Sequence, residues 1–203
     1  MTVVELRPFE EDDLPRVLAW ANSDFVRCAV GTVRPISMFE HRRWYERIQA
    51  DTSRLTLTIC SNQDDQKVGL IGLTGIDQTY RSAEIWLYLG EPQFQGKGFA
   101  RGAVTNLLEL AFNTLGLHRI TAQVFSYNDK ACRFFLACGF KEEGRLREAA
   151  FKSGSLHACR VPHRDFRRQF FFLLHERRLR GPAVARWLDL CRSTPAETSG
   201  VDR

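Results

Sequence analysis

GEPQFQGKGFARGAVTNLLELAF (Gly90–Phe112) packs glycines and a lysine into one loop and then runs straight into an apolar helix. Such a loop suits phosphate. Small residues let the backbone approach an anion, and the first N–H groups of a helix have no intrahelical acceptor. Three phosphate motifs compete for it. A Walker A loop needs Gly, four residues, then Gly-Lys-Ser/Thr. Here Gly90 is one residue too far from Gly96-Lys97, and Gly98 stands where the hydroxyl belongs. A dinucleotide loop needs G-x-G-x-x-G in a parallel βαβ unit. Gly96-Lys97-Gly98 reaches Arg101 instead of a third glycine, and the strands before it read as antiparallel. The third pattern, Gln/Arg-x-x-Gly-x-Gly/Ala, is met in full by Gln93-Phe94-Gln95-Gly96-Lys97-Gly98.

Composition bounds the rest. With 203 residues, 44% hydrophobic and 26% charged, the chain has apolar material for one core and does not have a disordered composition. No apolar run reaches the roughly 18 residues of a membrane span. The N-terminus turns acidic early, without a basic-then-apolar leader, so an exported protein is not expected. Six cysteines (Cys28, Cys60, Cys132, Cys138, Cys159, Cys191) lack a C-x-x-C pair and read as reduced thiols of a cytoplasmic protein. His157, Cys159 and His163 fit no standard zinc spacing, so no metal is expected.

Along the chain, VVELRPF (3–9) reads as a strand, and EEDDLPRVLAWAN as an amphipathic helix with Leu14, Val17, Leu18 and Ala21 on one stripe. Ser37-x-x-Glu40 is a capping box that opens a helix carrying His41, Trp44, Tyr45 and Ile48 on one face. LTLTICS (55–61), KVGLIGLTGID (67–77) and RSAEIWLYLG (81–90) form an antiparallel meander. A helix over about 99–115 and a strand, HRITAQVF (118–125), follow. Asn128 caps a helix whose stripe is Ala131, Phe134, Phe135 and Cys138. Gly139 suits a left-handed C′ position, and Phe140 folds back on Phe134 or Phe135. The expected class is α+β: a single domain with a mixed, mostly antiparallel twisted sheet and helices on both faces.

Asn128-Asp129-Lys130-Ala131 and Gly139-Phe140 complete a second signature downstream of the glycine loop. With both motifs, the chain resembles the GNAT superfamily of acyl-CoA-dependent N-acetyltransferases. The motifs cover about 81–145, and the resemblance extends more weakly over 3–157. It implies acetyl-CoA as cosubstrate. Its diphosphate would lie on the main-chain amides of Gln95, Gly96, Lys97, Gly98, Phe99 and Ala100. Its pantetheine arm would pair along Leu87–Leu89, with Asn128 at the second motif. Lys130 and Arg133 are candidate partners for coenzyme phosphate, or else solvated helix charges.

The chemistry needs a base, because a free alkylamine has a pKa near ~10. It also needs an oxyanion donor and gains from an acid at the departing thiolate. Glu84 is the candidate base: alternation places it with Trp86 and Tyr88 on one face and Ala83, Ile85 and Leu87 on the other. Many relatives carry tyrosine four residues after the motif alanine, but this chain has Phe135. Tyr127 and Tyr88 are the remaining candidates for that role, and transfer without an acid is the other option.

For the acceptor amine, LAWANSDFVR (18–27) and ISMFEHRRWYERIQAD (36–51) resemble two subgroups. One is the Rim-type ribosomal-protein acetyltransferases. The other, favoured slightly, is the aminosugar-nucleotide acetyltransferases of pseudaminic acid synthesis. Trp20, Asn22, Arg27, His41 and Trp44 are the candidate substrate contacts, with Arg42 nearby. Trp20 and Trp44 suit a core role better than a substrate contact, because both lie on apolar helical stripes. Polyamine and aminoglycoside acetylation stand as alternatives; a polyamine would want an acidic cleft.

Residues 158–203 form an atypical arginine-rich segment. Between Arg160 and Arg192 there are nine arginines, three acids and no lysine. FFFLL (170–174) is expected to supply a last strand and HERRLRGPAVARWLDLC a terminal helix. Loss of resemblance here also fits a change of reading frame. A non-enzyme alternative is a CoA-binding module with a basic, aromatic-interleaved tail for nucleic acid, although those aromatics equally suit burial or a homodimer. No membrane partner is expected.

Overall fold

Strand alternation and helix caps set the architecture. The computed structural model describes residues 4–30, 34–125, 127–146 and the strand backbone of 169–173. After β1 (Val4–Pro8) come a 3-10 turn (Glu11–Asp13) and helices α1 (Leu14–Asn22), α2 (Asp24–Val30) and α3 (Met38–Ala50). Strands β2 (Leu55–Ser61), β3 (Lys67–Asp77) and β4 (Ser82–Leu89) follow, then α4 (Phe99–Glu109), which ends in a π-turn over Leu110–Thr114. The chain continues through β5 (Arg119–Thr121), β6 (Gln123–Phe125), α5 (Asp129–Ala137), β7 (Lys141–Arg145) and β8 (Gln169–Leu173).

One sheet runs β1-β2-β3-β4-β5, antiparallel except for the parallel β4–β5 pair; a second runs β6-β8-β7. Pleating divides the core. Ile71, Leu73 and Ile85 face α4 and α5 with Leu107, Phe135 and Phe140. Leu70, Trp86 and Tyr88 face α1 and α3 with Phe9, Leu14, Val17 and Trp20. The five-stranded sheet therefore carries helices on both faces, as the α+β reading expects.

The caps are in place. Ser37 Oγ accepts from Glu40 N at 3.2 Å while Glu40 Oε2 accepts from Ser37 N at 3.1 Å. Asn128 Oδ1 accepts from Ala131 N at 3.1 Å. Gly139 sits at φ 89°, and Phe140 returns onto Phe135 with ring centroids 5.1 Å apart. Asp13, buried, pins the 3-10 turn to the sheet by accepting from Thr58 Oγ1 at 2.8 Å and pairing with Lys67.

One expectation fails locally. The single strand expected over 118–125 is two strands in different sheets, divided at Ala122. Arg119–Thr121 pairs in parallel with Ser82–Glu84, whereas Gln123–Phe125 leaves to pair with β8. The strand expected at 170–174 is present as Gln169–Leu173, between β6 and β7. The terminal helix, most of the aromatics of the tail, and His157, Cys159 and His163 lie outside the described residues. Among the described residues, no cluster suited to a metal occurs and no helix is long and apolar enough to cross a membrane. The four described cysteines are free thiols.

Candidate active site

The break at Ala122 makes the site. Past Glu84, the β4 edge has no strand partner on its β5 side among the described residues. A cavity of about 810 Å³ opens between β4 (Ile85, Trp86, Leu87, Tyr88) and β6 (Gln123, Val124, Phe125). Asn128, Ala131 and Phe135 of the α5 region close one side. Helices α1–α3 and the loop before α3 supply Val17, Val26, Arg34, Glu40, His41, Arg43, Trp44 and Arg47. Unpaired main-chain groups along Ile85–Leu89 can take an extended ligand as an added strand.

At the C-terminal end of β4 stands the glycine loop. Gly96 and Gly98 have φ of 75° and 86°, and a Cβ on either would meet no atom within 4 Å. Gly98 is the N-cap of α4, whose first bond runs from Gly102 N to Gly98 O at 2.9 Å. The N–H groups of Phe99, Ala100 and Arg101 thus have no intrahelical acceptor. Free N–H groups at a helix start beside two left-handed glycines can take an anion such as a diphosphate. Lys130 of α5 contacts Gln95 Oε1 across the loop. Arg133 is exposed one turn further on.

Glu84 is half-buried on the same face as Trp86 and Tyr88 and is not in the cavity wall itself. Desolvation raises its pKa above the ordinary carboxylate value. Burial also holds the Tyr88 phenol strongly toward its neutral form. Tyr127 is 45% exposed, stacked flat on Phe125, and does not line the cavity. Phe135 does line it.

The acceptor candidates divide. His41 and Trp44 line the cavity, stacked at 5.1 Å, and burial lowers the His41 pKa. Trp20 is not in the wall: it is buried beneath Gly90 and donates Nε1–H to Glu91 at 3.1 Å. Asn22 is engaged by the Ile36 backbone, donating to its carbonyl at 2.9 Å and accepting from its N–H at 2.7 Å. Arg27 pairs with Asp24 on its own helix at 3.7 Å. Arg43 and Arg47 were missed by sequence reading. Their i, i+4 spacing on α3, Arg43 next to Trp44 and Arg47 about one turn after it, was the available signal.

A splayed β4–β6 cleft headed by a left-handed glycine loop at a helix start defines an acyl-CoA-dependent transferase fold. Residues 4–141 match the acetyltransferase (GNAT) domain, and the chain belongs to that family. Family members use acetyl-CoA. A spermidine N(1)-acetyltransferase of Vibrio cholerae is 42% identical over 94 residues, covering 45% of this chain and 54% of that one. The Escherichia coli (strain K12) spermidine N(1)-acetyltransferase is 31% identical over 153 residues, covering 74% and 80%. The crystal structure of the Vibrio cholerae enzyme with CoA and spermine superposes with a TM-score of 0.71 at 28% identity, covering 85% of this chain and 94% of that one. Both subgroups named from sequence also appear among the relatives, as the putative ribosomal N-acetyltransferase YdaF of Bacillus subtilis and the acetyltransferase PseH of Campylobacter jejuni.

Proposed function

We propose that this chain moves the acetyl group of acetyl-CoA to a primary amine of a small molecule bound in the cavity beside Trp86 and Tyr88. The observation that carries the reading is the cleft between β4 and β6, with a diphosphate cradle at its head and an 810 Å³ cavity at its side. Pantetheine extends along Leu87–Leu89 with the diphosphate on Gln95–Ala100. The amine nitrogen attacks the thioester carbon, a C–N bond forms, the C–S bond breaks and CoA leaves as thiolate. The amine's proton passes through water to Glu84. Tyr88 donates a hydrogen bond to the sulfur. It does not surrender its proton, because a phenol with a raised pKa is a far weaker acid than a thiol of ~8.5. Lys130 and Arg133 are the partners proposed for coenzyme phosphate.

The relatives support a polyamine acceptor more than the aminosugar nucleotide favoured from sequence. One observation favours a second reading. Glu40 is the only acid in the described cavity wall, and Arg34 occupies it at 3.1 Å. Arg43 and Arg47 have no acidic partner among the described residues. Two such cations suit an amine that also carries phosphate or carboxylate. Release of free thiol from acetyl-CoA, followed across spermidine, spermine, an aminosugar nucleotide, an aminoglycoside and an N-terminal peptide, separates the readings. Spermidine as best substrate supports the first; preference for the anionic amine supports the second. No turnover with any primary amine overturns both.

A further inference from the structure

The loop that cradles the diphosphate does not hold itself. Its leading residue, Glu91, sits between the acceptor-side helices and the Gln93–Gly98 motif. One carboxylate oxygen, Oε1, accepts from Arg16 Nη2 at 2.7 Å and from Trp20 Nε1 at 3.1 Å, both on α1. The other, Oε2, accepts from Gln93 Nε2, the first residue of the motif. The Arg16 guanidinium lies 5.5 Å from the Trp20 ring centroid, so the α1 donors brace one another. Gly90 permits the approach, since a Cβ there would lie 2.1 Å from the indole. Trp20 is 3% exposed and belongs to the apolar cluster on which Trp86 and Tyr88 pack.

We infer that Glu91 is a positioning residue for coenzyme binding: it latches the start of the diphosphate loop to helix α1 and so fixes the direction of the loop amides. The inference rests on the acetyl-CoA reading above. A charged acceptor taking three donors from two elements is stronger than its neutral counterparts. Without it the turn at Pro92–Phe94 keeps the packing of buried Phe94 and its backbone bonds, Phe94 N to Glu91 O at 3.2 Å and Gln95 N to Pro92 O at 3.0 Å, and loses its hydrogen bonds to α1. The amide array then has more conformations to lose on binding, which weakens affinity for the coenzyme rather than slowing the chemical step.

Glu91→Gln in the full chain tests this, with KM for acetyl-CoA, KM for the amine, kcat, CoA affinity by calorimetry, and Tm measured together. The expected result is a rise of about tenfold in KM for acetyl-CoA and in Kd for CoA, with kcat and amine KM within about twofold of wild type. Trp20→Phe, which keeps an apolar ring and removes the N–H donor, is expected to move the same two constants in the same direction by less. A fall in Tm with acetyl-CoA constants unchanged makes Glu91 a plain structural tie and overturns the latch. If Glu91→Gln fails to fold, Trp20→Phe with wild-type acetyl-CoA constants overturns it equally. A wild-type chain that binds no CoA overturns the function and the latch together.

Discussion

In the reaction proposed above, the chemistry turns on two residues, Glu84 and Phe135. A half-buried carboxylate whose pKa is raised by desolvation makes a better proton acceptor near neutrality than a solvated one. The base must be ionised, so activity falls as pH drops through the raised value. The acid limb of kcat/KM is expected above the ordinary carboxylate range. Glu84→Gln is expected to lower kcat/KM by about 10²-fold and erase that limb. Phe135 is buried against Phe140 yet lines the cavity, where many relatives carry tyrosine. Phe135→Tyr would place a hydroxyl in the cavity wall beside the leaving sulfur. A rise in kcat of up to about tenfold is expected, read from thiol release at saturating amine, as the effect of one added hydrogen-bond donor to the thiolate without proton transfer. Both were candidates read from sequence, Glu84 by alternation and Phe135 by its offset from Ala131, and their roles belong to the proposal. Trp20 was not. An amphipathic stripe shows that an indole faces inward, but not that Gly90 and Glu91, far along the chain, take it before any substrate can.

At the scale of elements, local rules succeed where local chemistry decides. The capping box of α3, the Asn128 cap of α5 and the three-strand meander all depend on neighbours within a few residues or on plain alternation, and all are present. The split of HRITAQVF at Ala122 was not legible, because it is imposed by β8 pairing from more than forty residues away. The same helix α3 carries a pH-sensitive contribution to stability. His41 is 3% exposed, and burial holds its folded pKa below the ordinary 6.5. Between the two values the unfolded chain binds more protons than the folded one. This stabilisation is therefore complete above about pH 6.5 and is lost as pH falls below it. Wild-type Tm is expected to drop from pH 8 to pH 5.5 more steeply than that of His41→Asn. Parallel curves for the two proteins would remove His41 as the source.

For the whole molecule, the paired sheet does not stop where the family resemblance fades. If residues from 160 onward were only a basic tail, their removal would leave coenzyme binding intact. The topology argues otherwise. Backbone 169–173 is the central strand of the second sheet, pairing with β6 on one side and β7 on the other. Strand β6 in turn forms one wall of the cavity. Position 171 faces Gln123 across one ladder and Gly144 across the other. A proline there fixes φ and deletes an N–H from a central strand, which sheets tolerate only at edges. Phe171→Pro is expected to cost about 1–3 kcal/mol for the hydrogen-bonding partner it leaves unsatisfied, seen as a lowered Tm, and to weaken acetyl-CoA binding because β6 loses its partner. The control is a proline at the exposed Gln63 turn between β2 and β3, outside any strand, which is expected to leave coenzyme affinity unchanged. If Phe171→Pro binds acetyl-CoA as tightly as wild type, β8 does not support the cleft, and the catalytic unit ends before it.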